Sequence, residues 1–283
     1  MKSKFFLFAF FITTLISAQN KVELINKTDV SRIDECVCLP LSKIAERENS
    51  FSLSAFQLFD GDKELAYQII AKNIIFVIDV PAKSRKEIII KSYKGTEPIQ
   101  YNNRTYAEIS PKKGGVYFDG KFRGPQFESV KRYKVPAIHK DHDALFKYEG
   151  PGWESELVGY RFYLDWRNAT DVFGKKIYKL LLKDVGVHDT VANDDSYHKM
   201  QDWGMDIFKV GSSLGIGSIG MWAKGKVNMV SKTDSVISQI NENGPIRSTI
   251  ETNYYGWLVD GKKYDLNAKL SINAGSRLTN CEL

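Results

Sequence analysis

The stretch ELAYQIIAKNIIFVIDVPAKSRKEIIIKSY, Glu64–Tyr93, decides the fold. It contains three short runs rich in Ile, Val, Tyr and Phe, separated by Lys72-Asn73 and by Pro81-Ala82-Lys83-Ser84. β-branched and aromatic residues favour strands, whereas Pro, Asn and Ser favour turns. Short strands at this spacing are typical of an all-β sandwich.

The same pattern returns near the end of the chain. The segments IETNYYGWLV (Ile250–Val259) and KKYDLNAKLSI (Lys262–Ile272) flank the dipeptide Asp260-Gly261. Asp-Gly between two strand-like runs is a strong hairpin signal, because both residues tolerate a positive φ. The sequence therefore predicts antiparallel strands at both ends of the chain.

The first residues predict export. Lys2 and Lys4 precede the apolar run Phe5–Ile16, and small residues follow at Ser17 and Ala18. This order is typical of a secretory signal peptide, here the first 18 residues. The run is shorter than the roughly 20 apolar residues that cross a bilayer. We therefore expect no membrane span and a periplasmic or extracellular location.

The remaining 265 residues (283 − 18) suit one large β-sandwich, or a small sandwich attached to a larger one. We predict a mainly β fold with few short helices over residues 19–283. A Gly- and Lys-rich connector suggests a soft internal boundary near residues 102–124. The segment Asn168–Gly186 is the one with a helical pattern. Because the chain ends at Leu283 directly after a strand-like segment, we expect the sandwich to be incomplete there.

Charge and cysteines exclude several classes of protein. The net charge of +6 falls to +4 without the two lysines of the leader, which is too small to predict a nucleic-acid partner. Cys36, Cys38 and Cys281 are too few for a disulfide framework and lack the spacing of a zinc ribbon. One bridge from Cys281 to the other two is an alternative in an oxidising compartment.

The strongest candidate for a site is LVGYRFYLDWRN, Leu157–Asn168. The strand period of two places one set of side chains on an apolar face: Val158, Tyr160, Phe162, Leu164 and Trp166. It places Arg161, Tyr163, Asp165 and Arg167 on the opposite face. Two guanidiniums, a phenol and a carboxylate together suit an anionic, hydroxyl-rich ligand. An Arg/Asp ladder on a solvated face would give the same pattern.

The four histidines lie in two groups, His139 with His142 and His188 with His198. Histidine suits proton transfer near neutral pH. The first pair, with Asp143 or Glu149 nearby, has no spacing of a recognised zinc site, so we favour a structural hydrogen-bonding role for it.

Two further motifs carry little weight, and we predict no bound cofactor. Asp189, Asn193, Asp194 and Asp195 could hold calcium, but they lack the EF-hand pattern, and a solvated loop is favoured. The glycine motif GIGSIG, Gly215–Gly220, is followed by a strand-like segment rather than a helix, and no βαβ unit is present. Neither a Gly-x-Ser-x-Gly elbow nor a His-Glu-x-x-His motif occurs.

Four segments together resemble the family of domain of unknown function 4861. They are HKDHDALFKYEGPGWESELVGYRFYLDWRNATDVFGKK, DSYHKMQDWGMDIFKVGSSLGIGSIGMW, GPIRS and INAGSRLTN. The resemblance extends from about DGDKELAYQ onward. It implies a galactose-mutarotase-like β-sandwich secreted by bacteria that digest polysaccharides, with genes beside lyases and unsaturated-uronate hydrolases. It also implies removal of water from uronate-bearing oligosaccharides, and similar proteins continue beyond AGSRLTN.

The resemblance leads us to expect an enzyme that eliminates water or an alcohol across C4 and C5 of a uronate. Such an enzyme must neutralise the carboxylate, remove the C5 proton and protonate the leaving oxygen. We expect Arg161, with Arg167 as alternate, to bind the carboxylate. The base and acid candidates are His198 and Tyr163 in either order, with His142 in reserve. The residues expected to orient an arginine or a histidine are Asp165 and Asp202.

Two alternatives stay open. In a non-catalytic glycan-binding sandwich, tryptophans would stack on sugar rings, the candidates being Trp153, Trp166, Trp203 and Trp257. A glycoside hydrolase would use two carboxylates, the candidates being Glu149, Glu154, Glu156 and Asp165. In each case the partner is an acidic oligosaccharide or polysaccharide.

Overall fold

The structure, a computed structural model, describes residues 20–45, 56–93, 95–124, 126–185 and 195–283. These residues are mainly β, as predicted, and every pair of neighbouring strands is antiparallel. Helices in the described ranges are short. They are α1 (Leu41–Ala45) and the two 3₁₀ helices η1 (Leu182–Asp184) and η2 (Asp195–His198).

The first seven strands form a small sandwich. They are β1 (Asn20–Asn26), β2 (Arg32–Pro40), β3 (Phe56–Asp60), β4 (Lys63–Leu65), β5 (Tyr67–Ile70), β6 (Asn73–Val80) and β7 (Ser84–Ser92). One sheet has the order β1-β7-β3-β4 and the other the order β2-β6-β5. Between them lies a core that includes Phe56, Leu58, Phe76 and Ile88. The apolar runs that predicted strands are therefore the inner faces of this sandwich.

The other strands form a larger sandwich, two hairpins and a separate two-stranded sheet. They are β8 (Thr105–Glu108), β9 (Lys112–Lys113), β10 (Val116–Phe118), β11 (Lys121–Arg123), β12 (Gln126–Phe127), β13 (Arg132–Lys134), β14 (Gly152–Ser155), β15 (Val158–Phe162), β16 (Thr170–Lys175), β17 (Gly204–Asp206), β18 (Gly220–Ala223), β19 (Lys226–Met229), β20 (Ser235–Asn243), β21 (Arg247–Val259), β22 (Lys262–Asn273) and β23 (Thr279–Glu282). The front sheet is β17-β16-β15-β14-β8, and the back sheet is β13-β20-β21-β22-β23. The hairpins are β10-β11 and β18-β19, and β9 pairs with β12 in the two-stranded sheet. Their inner faces pack together as one apolar core.

Successive side chains along each strand of the front sheet point to opposite faces, one packed in the core and one turned away from it. Val158 and Phe162 of β15 point into the core, whereas Arg161 between them points away from it. Trp153 of the neighbouring strand β14 is 1% exposed, stacks on Tyr160 and donates from Nε1 to Thr279 Oγ1 at 2.8 Å. The outer face of β15 is therefore free to carry polar groups.

The helix predicted over Asn168–Gly186 is wrong. Thr170–Lys175 is strand β16, which pairs with β15 on one side and β17 on the other, and only Leu182–Asp184 forms a short 3₁₀ turn. The residues from Thr170 to Phe173 are all buried. A strand covered on both faces has no alternating pattern, so its period gave no strand signal.

The two sandwiches are in direct contact. Gln68 of the small sandwich accepts hydrogen bonds from the backbone N–H groups of Ile246 and Arg247 at 3.1 and 2.9 Å. Ile75 and Val77 of β6 pack with Ile246 and Ala274. The chain leaves the small sandwich after β7 and enters the larger one at β8. The boundary near residues 102–124 and the galactose-mutarotase-like class stay predictions.

Two of the sequence predictions fall on segments that the structure does not describe. The leader, residues 1–18, and the calcium loop around Asp189 and Asn193 lie outside the described residues. Among the described residues, no helix is long and apolar enough to span a bilayer. The three cysteines are described and are free thiols, Cys36 half-buried and the other two exposed.

The packing of the core predicts that substitution of two tryptophans changes the free energy of unfolding by different amounts. We expect Trp153→Ala to lower the free energy of unfolding by about 3–5 kcal/mol, because a large buried ring is lost. Trp222 is 71% exposed, so we expect Trp222→Ala to change the free energy by about 0.5 kcal/mol or less. Urea unfolding of the two variants measures both values, and equal losses would contradict the placement of Trp153.

Candidate functional site

A pocket of about 440 Å³ lies on the outer face of the front sheet. Strands β15 and β16, the turn after β15, η2 and the loops at residues 141–149 and 208–212 form its walls. We call it the arginine pocket. Its lining residues are Asp141, His142, Glu149, Arg161, Tyr163, Trp166, Arg167, Asp171, Tyr197, His198, Phe208, Lys209, Val210, Gly211 and Ser212. A larger cavity lies beside it, but the titratable groups converge here.

Arg161 forms the floor of the pocket and is 2% exposed. Its Nε donates to Asp171 Oδ2 at 2.7 Å and its Nη2 to Asp206 Oδ2 at 3.2 Å. Strand register explains both contacts, because Arg161 lies opposite Asp171, and Asp206 lies opposite Phe173 on the next strand. The guanidinium also lies 5.1–5.5 Å from three aromatic ring centroids, those of Tyr163, Phe173 and Tyr197.

Asp206 has an unusual acidity for a carboxyl group. Burial, reinforced by the neighbouring Asp171 carboxylate, raises its pKa to about 7, although Arg161 opposes the shift. Its Oδ2 lies 3.5 Å from His198 Nδ1, and the His198 side chain is 31% exposed at the pocket wall. The pocket therefore contains a His–Asp pair whose carboxyl group exchanges its proton near neutral pH.

Tyr163 lies beside this pair and donates its hydroxyl hydrogen to Asp171 Oδ2 at 2.8 Å. Burial raises its pKa above the ordinary value; Arg161 opposes the shift, and Asp171 and Glu149 add to it. The phenol is therefore protonated at neutral pH. It can donate a proton but is not poised to remove one.

A second charged cluster surrounds Arg167. Its Nε donates to Asp165 Oδ1 at 2.9 Å, and its Nη2 donates to Asp165 Oδ2 and to Glu149 Oε1. The guanidinium lies over the Tyr163 ring, 4.1 Å from the centroid. Arg167 Nη1 has no hydrogen bond to any described residue. Arg167 lines the pocket with 9% of its side chain exposed, so Nη1 is its candidate donor to a ligand.

Three non-glycine residues in or next to the pocket have a left-handed backbone conformation. His142, Glu149 and Asn168 have φ values of 56°, 68° and 42°, in the left-handed region that non-glycine residues rarely occupy. Glu149 Oε1 accepts the backbone N–H of His142 at 3.0 Å, which ties two of the strained residues together. Strain of this kind persists where the surrounding structure fixes it, and it is common at functional sites.

The structure brings together five of the predicted site residues: His142, Arg161, Tyr163, Arg167 and His198. Asp165 lies behind Arg167 and holds its guanidinium. The predicted strand alternation ends at Phe162, the last residue of β15. Arg167 therefore reaches the pocket from the turn that follows. Trp166, which was expected on the apolar face, is 46% exposed. Arg161, expected to bind a carboxylate, is buried and donates to Asp171 and Asp206; that role stays a prediction.

Three predicted ligand contacts lie elsewhere. Trp153 is buried in the core, so its expected role as a sugar platform is wrong. Trp203 does not line the pocket; its ring packs near Phe173, with centroids 6.2 Å apart. Asp202 is exposed and also lies outside the pocket lining. Packing against the core, which sequence patterns cannot resolve, explains the two tryptophans.

The sequence reasoning missed Asp171 and Tyr197, which line the pocket, and the buried Asp206, which contacts Arg161 and His198. Asp171 was hidden in the segment interpreted as a helix. A hairpin interpretation of YRFYLDWRNATDVF would have placed it opposite Arg161. Tyr197 and Asp206 carry no local signal, because η2 and β17 reach the site only through tertiary contacts.

The remaining predicted motifs have structural explanations. His139 is a buried hydrogen-bonding residue, with Nδ1 2.8 Å from Asp143 Oδ2. Within the described part of the chain, no group of three His, Cys, Asp or Glu residues is arranged to hold a metal ion. In the GIGSIG motif, Gly215 has a φ of 68° and a Cβ there would lie 2.1 Å from the Thr170 carbonyl oxygen, so glycine is required for packing beside β16.

Comparison with known proteins gives one match. The family model described as Domain of unknown function (DUF4861) matches residues 24–283. No curated protein and no solved structure matches the chain significantly.

The acidity of Asp206 predicts a pH dependence of stability. Its pKa is about 7 when folded against 3.8 for the ordinary carboxyl, so the folded state binds the extra proton between these values. Its contribution to stability is therefore largest at low pH and is lost as the pH rises through 7. We expect Asp206→Asn to flatten the fall in unfolding free energy between about pH 5 and about pH 8.

Urea unfolding of both proteins at the two pH values measures this difference. Asp234→Asn is the matched control, because Asp234 is 58% exposed in a surface ion pair with Lys263. An unchanged pH dependence in Asp206→Asn would contradict the assignment.

Proposed function

The chain belongs to the family described as Domain of unknown function (DUF4861), and we propose that it is an exported enzyme that acts on uronate-containing oligosaccharides. The proposed reaction eliminates water, or an alcohol leaving group, across C4 and C5 of the uronate. The observation that carries the proposal is that one pocket brings together His198, which contacts the buried Asp206, the protonated Tyr163 and the guanidinium of Arg167. The substrate class rests on the sequence resemblance.

Binding of the uronate carboxylate is assigned to Arg167 rather than Arg161. Arg161 is 2% exposed and its hydrogen bonds go to Asp171 and Asp206, so it is covered from a ligand. Arg167 is also paired with two carboxylates, Asp165 and Glu149, but its Nη1 has no hydrogen bond to a described residue, and the exposed Lys209 in the same pocket adds a positive charge. A guanidinium and an ammonium together favour an anionic group and lower the cost of negative charge at C5.

His198 is the proposed base. With Nδ1 directed towards Asp206, its Nε2 carries the lone pair when the ring is neutral. In its ionised form, which predominates above about pH 7, Asp206 would stabilise the imidazolium that forms after proton transfer, as the acid does in His–Asp pairs. Arg161 and Asp171 act as positioning residues, because they fix Asp206 and Tyr163 without reaching the reacting atoms.

Tyr163 is the proposed acid, since its raised pKa keeps it protonated at neutral pH. In the step itself, the C5–H bond breaks and the proton goes to His198 Nε2. The electron pair forms the C4=C5 bond as the C4–O bond breaks, and the oxygen takes the Tyr163 proton. Arg161, 5.5 Å from the ring centroid, offsets the charge of the phenolate that remains. Exchange with solvent restores both residues.

A non-catalytic glycan-binding sandwich is the second candidate. Trp166 favours it, because this ring is 46% exposed at the edge of the arginine pocket and suits the apolar face of a sugar. The glycoside hydrolase alternative has less support. Glu154 is buried against Lys175, Glu156 pairs with Arg104, and Glu149 and Asp165 both hold Arg167.

Incubation with a panel of uronate oligosaccharides tests the proposal. We expect mass spectrometry to detect loss of water, or release of the sugar whose hydroxyl is the leaving group. Ultraviolet absorbance should rise as the conjugated product forms. Binding of a panel member without any product would support the glycan-binding candidate instead. Hydrolysis products without unsaturation would contradict the elimination.

Variants of the two proton-transfer residues test their roles. We expect His198→Ala and Tyr163→Phe each to lower kcat by about 100-fold or more, the usual contribution of general acid–base catalysis. Tyr178→Phe is the matched control for the tyrosine, because Tyr178 is 79% exposed outside the pocket. Full activity of His198→Ala with loss of activity in His142→Ala would transfer the base role to His142.

A further inference from the structure

Another cavity, of about 450 Å³, lies on the outer face of the front sheet beside its edge strand β8. We call it the lysine pocket. Gly152 of β14 lies opposite Glu108 on one side and opposite Arg161 on the other, so the Glu108 and Arg161 side chains share one face. The lysine pocket and the arginine pocket are therefore separate sites on the same face of the sheet. The lining residues of the lysine pocket are Tyr106, Glu108, Ser110, Lys112, Gly124, Gln126, Phe127, Ser129, Lys147 and Lys183.

The one carboxylate that lines the lysine pocket already has partners. Lys147 Nζ donates to Glu108 Oε1 at 2.9 Å, and Ser110 Oγ donates to Glu108 Oε2 at 2.5 Å. Neither Lys112 nor Lys183 forms an ion pair with a described residue. Two of the three ammonium groups in the pocket are therefore without a carboxylate.

Lys112 carries a charge that is nearly buried. The residue is 9% exposed, and its ammonium has no hydrogen bond or ion pair with a described residue. Its Nζ lies 5.2 Å from the ring centroid of Phe127, which faces it across the pairing of β9 with β12. A ring face offsets only part of the cost of removing a charge from water. Because buried lysines are almost always paired, this one points to a negative charge supplied from outside the chain.

The Lys112 ammonium is accessible from the pocket. Within the described part of the chain, the unpartnered side-chain atoms that are closed to solvent are His139 Nε2 and Asn168 Oδ1, and Lys112 Nζ is not among them. Lys112 also lines the cavity itself. A ligand in the lysine pocket can therefore contact this nitrogen directly.

The groups around Lys112 select an anion. The exposed Lys183, Gln126 and Ser129 add an ammonium, an amide and a hydroxyl group as donors. Three lysines against one glutamate leave two positive charges in the lining, and one if the nearby Asp184 is counted. Carboxylate, sulfate and phosphate oxygens accept several charge-assisted hydrogen bonds at once. A neutral ligand would leave the Lys112 charge uncompensated, and a cation would be repelled.

We propose that the lysine pocket binds the oxyanion group of a ligand, a carboxylate, a sulfate or a phosphate, with Lys112 as its counter-ion. A cavity of about 450 Å³ is within the usual range for small-molecule sites, so it accommodates the group together with part of the molecule that carries it. The site is separate from the arginine pocket, and it does not depend on the elimination proposed above.

Three substitutions test the role of Lys112. Lys112→Met removes the charge and keeps an unbranched side chain that packs against Phe127. Lys91→Met is the matched control, because Lys91 Nζ lies 4.1 Å from the Phe59 ring centroid but the residue is exposed in the small sandwich. Lys209→Met removes a positive charge from the arginine pocket instead.

The experiment is isothermal titration calorimetry with sodium sulfate, sodium phosphate and sodium galacturonate at low ionic strength, where charge pairs are least screened. We expect at least one of these anions to bind with a Kd of about 1 mM or lower. Lys112→Met should weaken that binding about tenfold or more, whereas Lys91→Met and Lys209→Met should change it by about twofold or less. The anion that binds most tightly identifies the source of the oxyanion.

Urea unfolding without added anion provides the second readout. Because Lys112→Met removes an uncompensated charge, we expect its unfolding midpoint to equal or exceed that of the unsubstituted protein. A lower midpoint would overturn the inference, since it would mean that the lysine stabilises the fold by itself.

Three calorimetric results would also overturn it: binding of none of the three anions, unchanged binding by Lys112→Met, or equal weakening by Lys91→Met. Binding that only Lys209→Met weakens would place the anion in the arginine pocket. The proposed function is tested separately, because formation of an unsaturated product does not require the lysine pocket.

Discussion

The burial of one positive charge constrains the whole front sheet. Arg161 points away from the core of the sandwich but is covered by other residues, so its guanidinium requires negative partners within the protein. The register of β15 with β16 supplies Asp171, and the next strand, β17, supplies Asp206. A displacement of either strand by one residue would turn these carboxylates to the opposite face. The position of Arg161 and the antiparallel register therefore depend on each other.

The acid–base properties of the pocket follow from this burial. Two carboxylates share one guanidinium in a space with little solvent, so one of them retains its proton to a higher pH than an exposed aspartate. The same environment raises the pKa of Tyr163. His198 and Arg167 lie at the edge of the cluster, where a ligand can reach them. The buried groups therefore set protonation states, and the groups at the edge are available for chemistry.

The sequence predicted the fold class because most strands are short runs of β-branched and aromatic residues between turn signals, as in NIIFVIDV and the Asp260-Gly261 hairpin. It failed for Thr170–Phe173, since a strand buried on both faces shows no alternation. For the site, the alternating pattern identified Arg161 and Tyr163. Asp165 and Arg167 also belong to the site, but they lie in the turn after β15 and not in the predicted strand. Asp171, Asp206 and Tyr197 could not be identified without the register of β15 to β17 and the position of η2, which depend on tertiary contacts.

The central claim is that the buried Arg161–Asp171–Asp206 cluster holds a carboxyl group whose proton exchanges near neutral pH beside His198. Titration of the Asp206 side-chain carboxyl by ¹³C nuclear magnetic resonance, assigned with Asp206→Asn, measures this directly. The account predicts an apparent pKa of about 7 for that resonance. A midpoint close to the ordinary carboxyl value of 3.8 would contradict it.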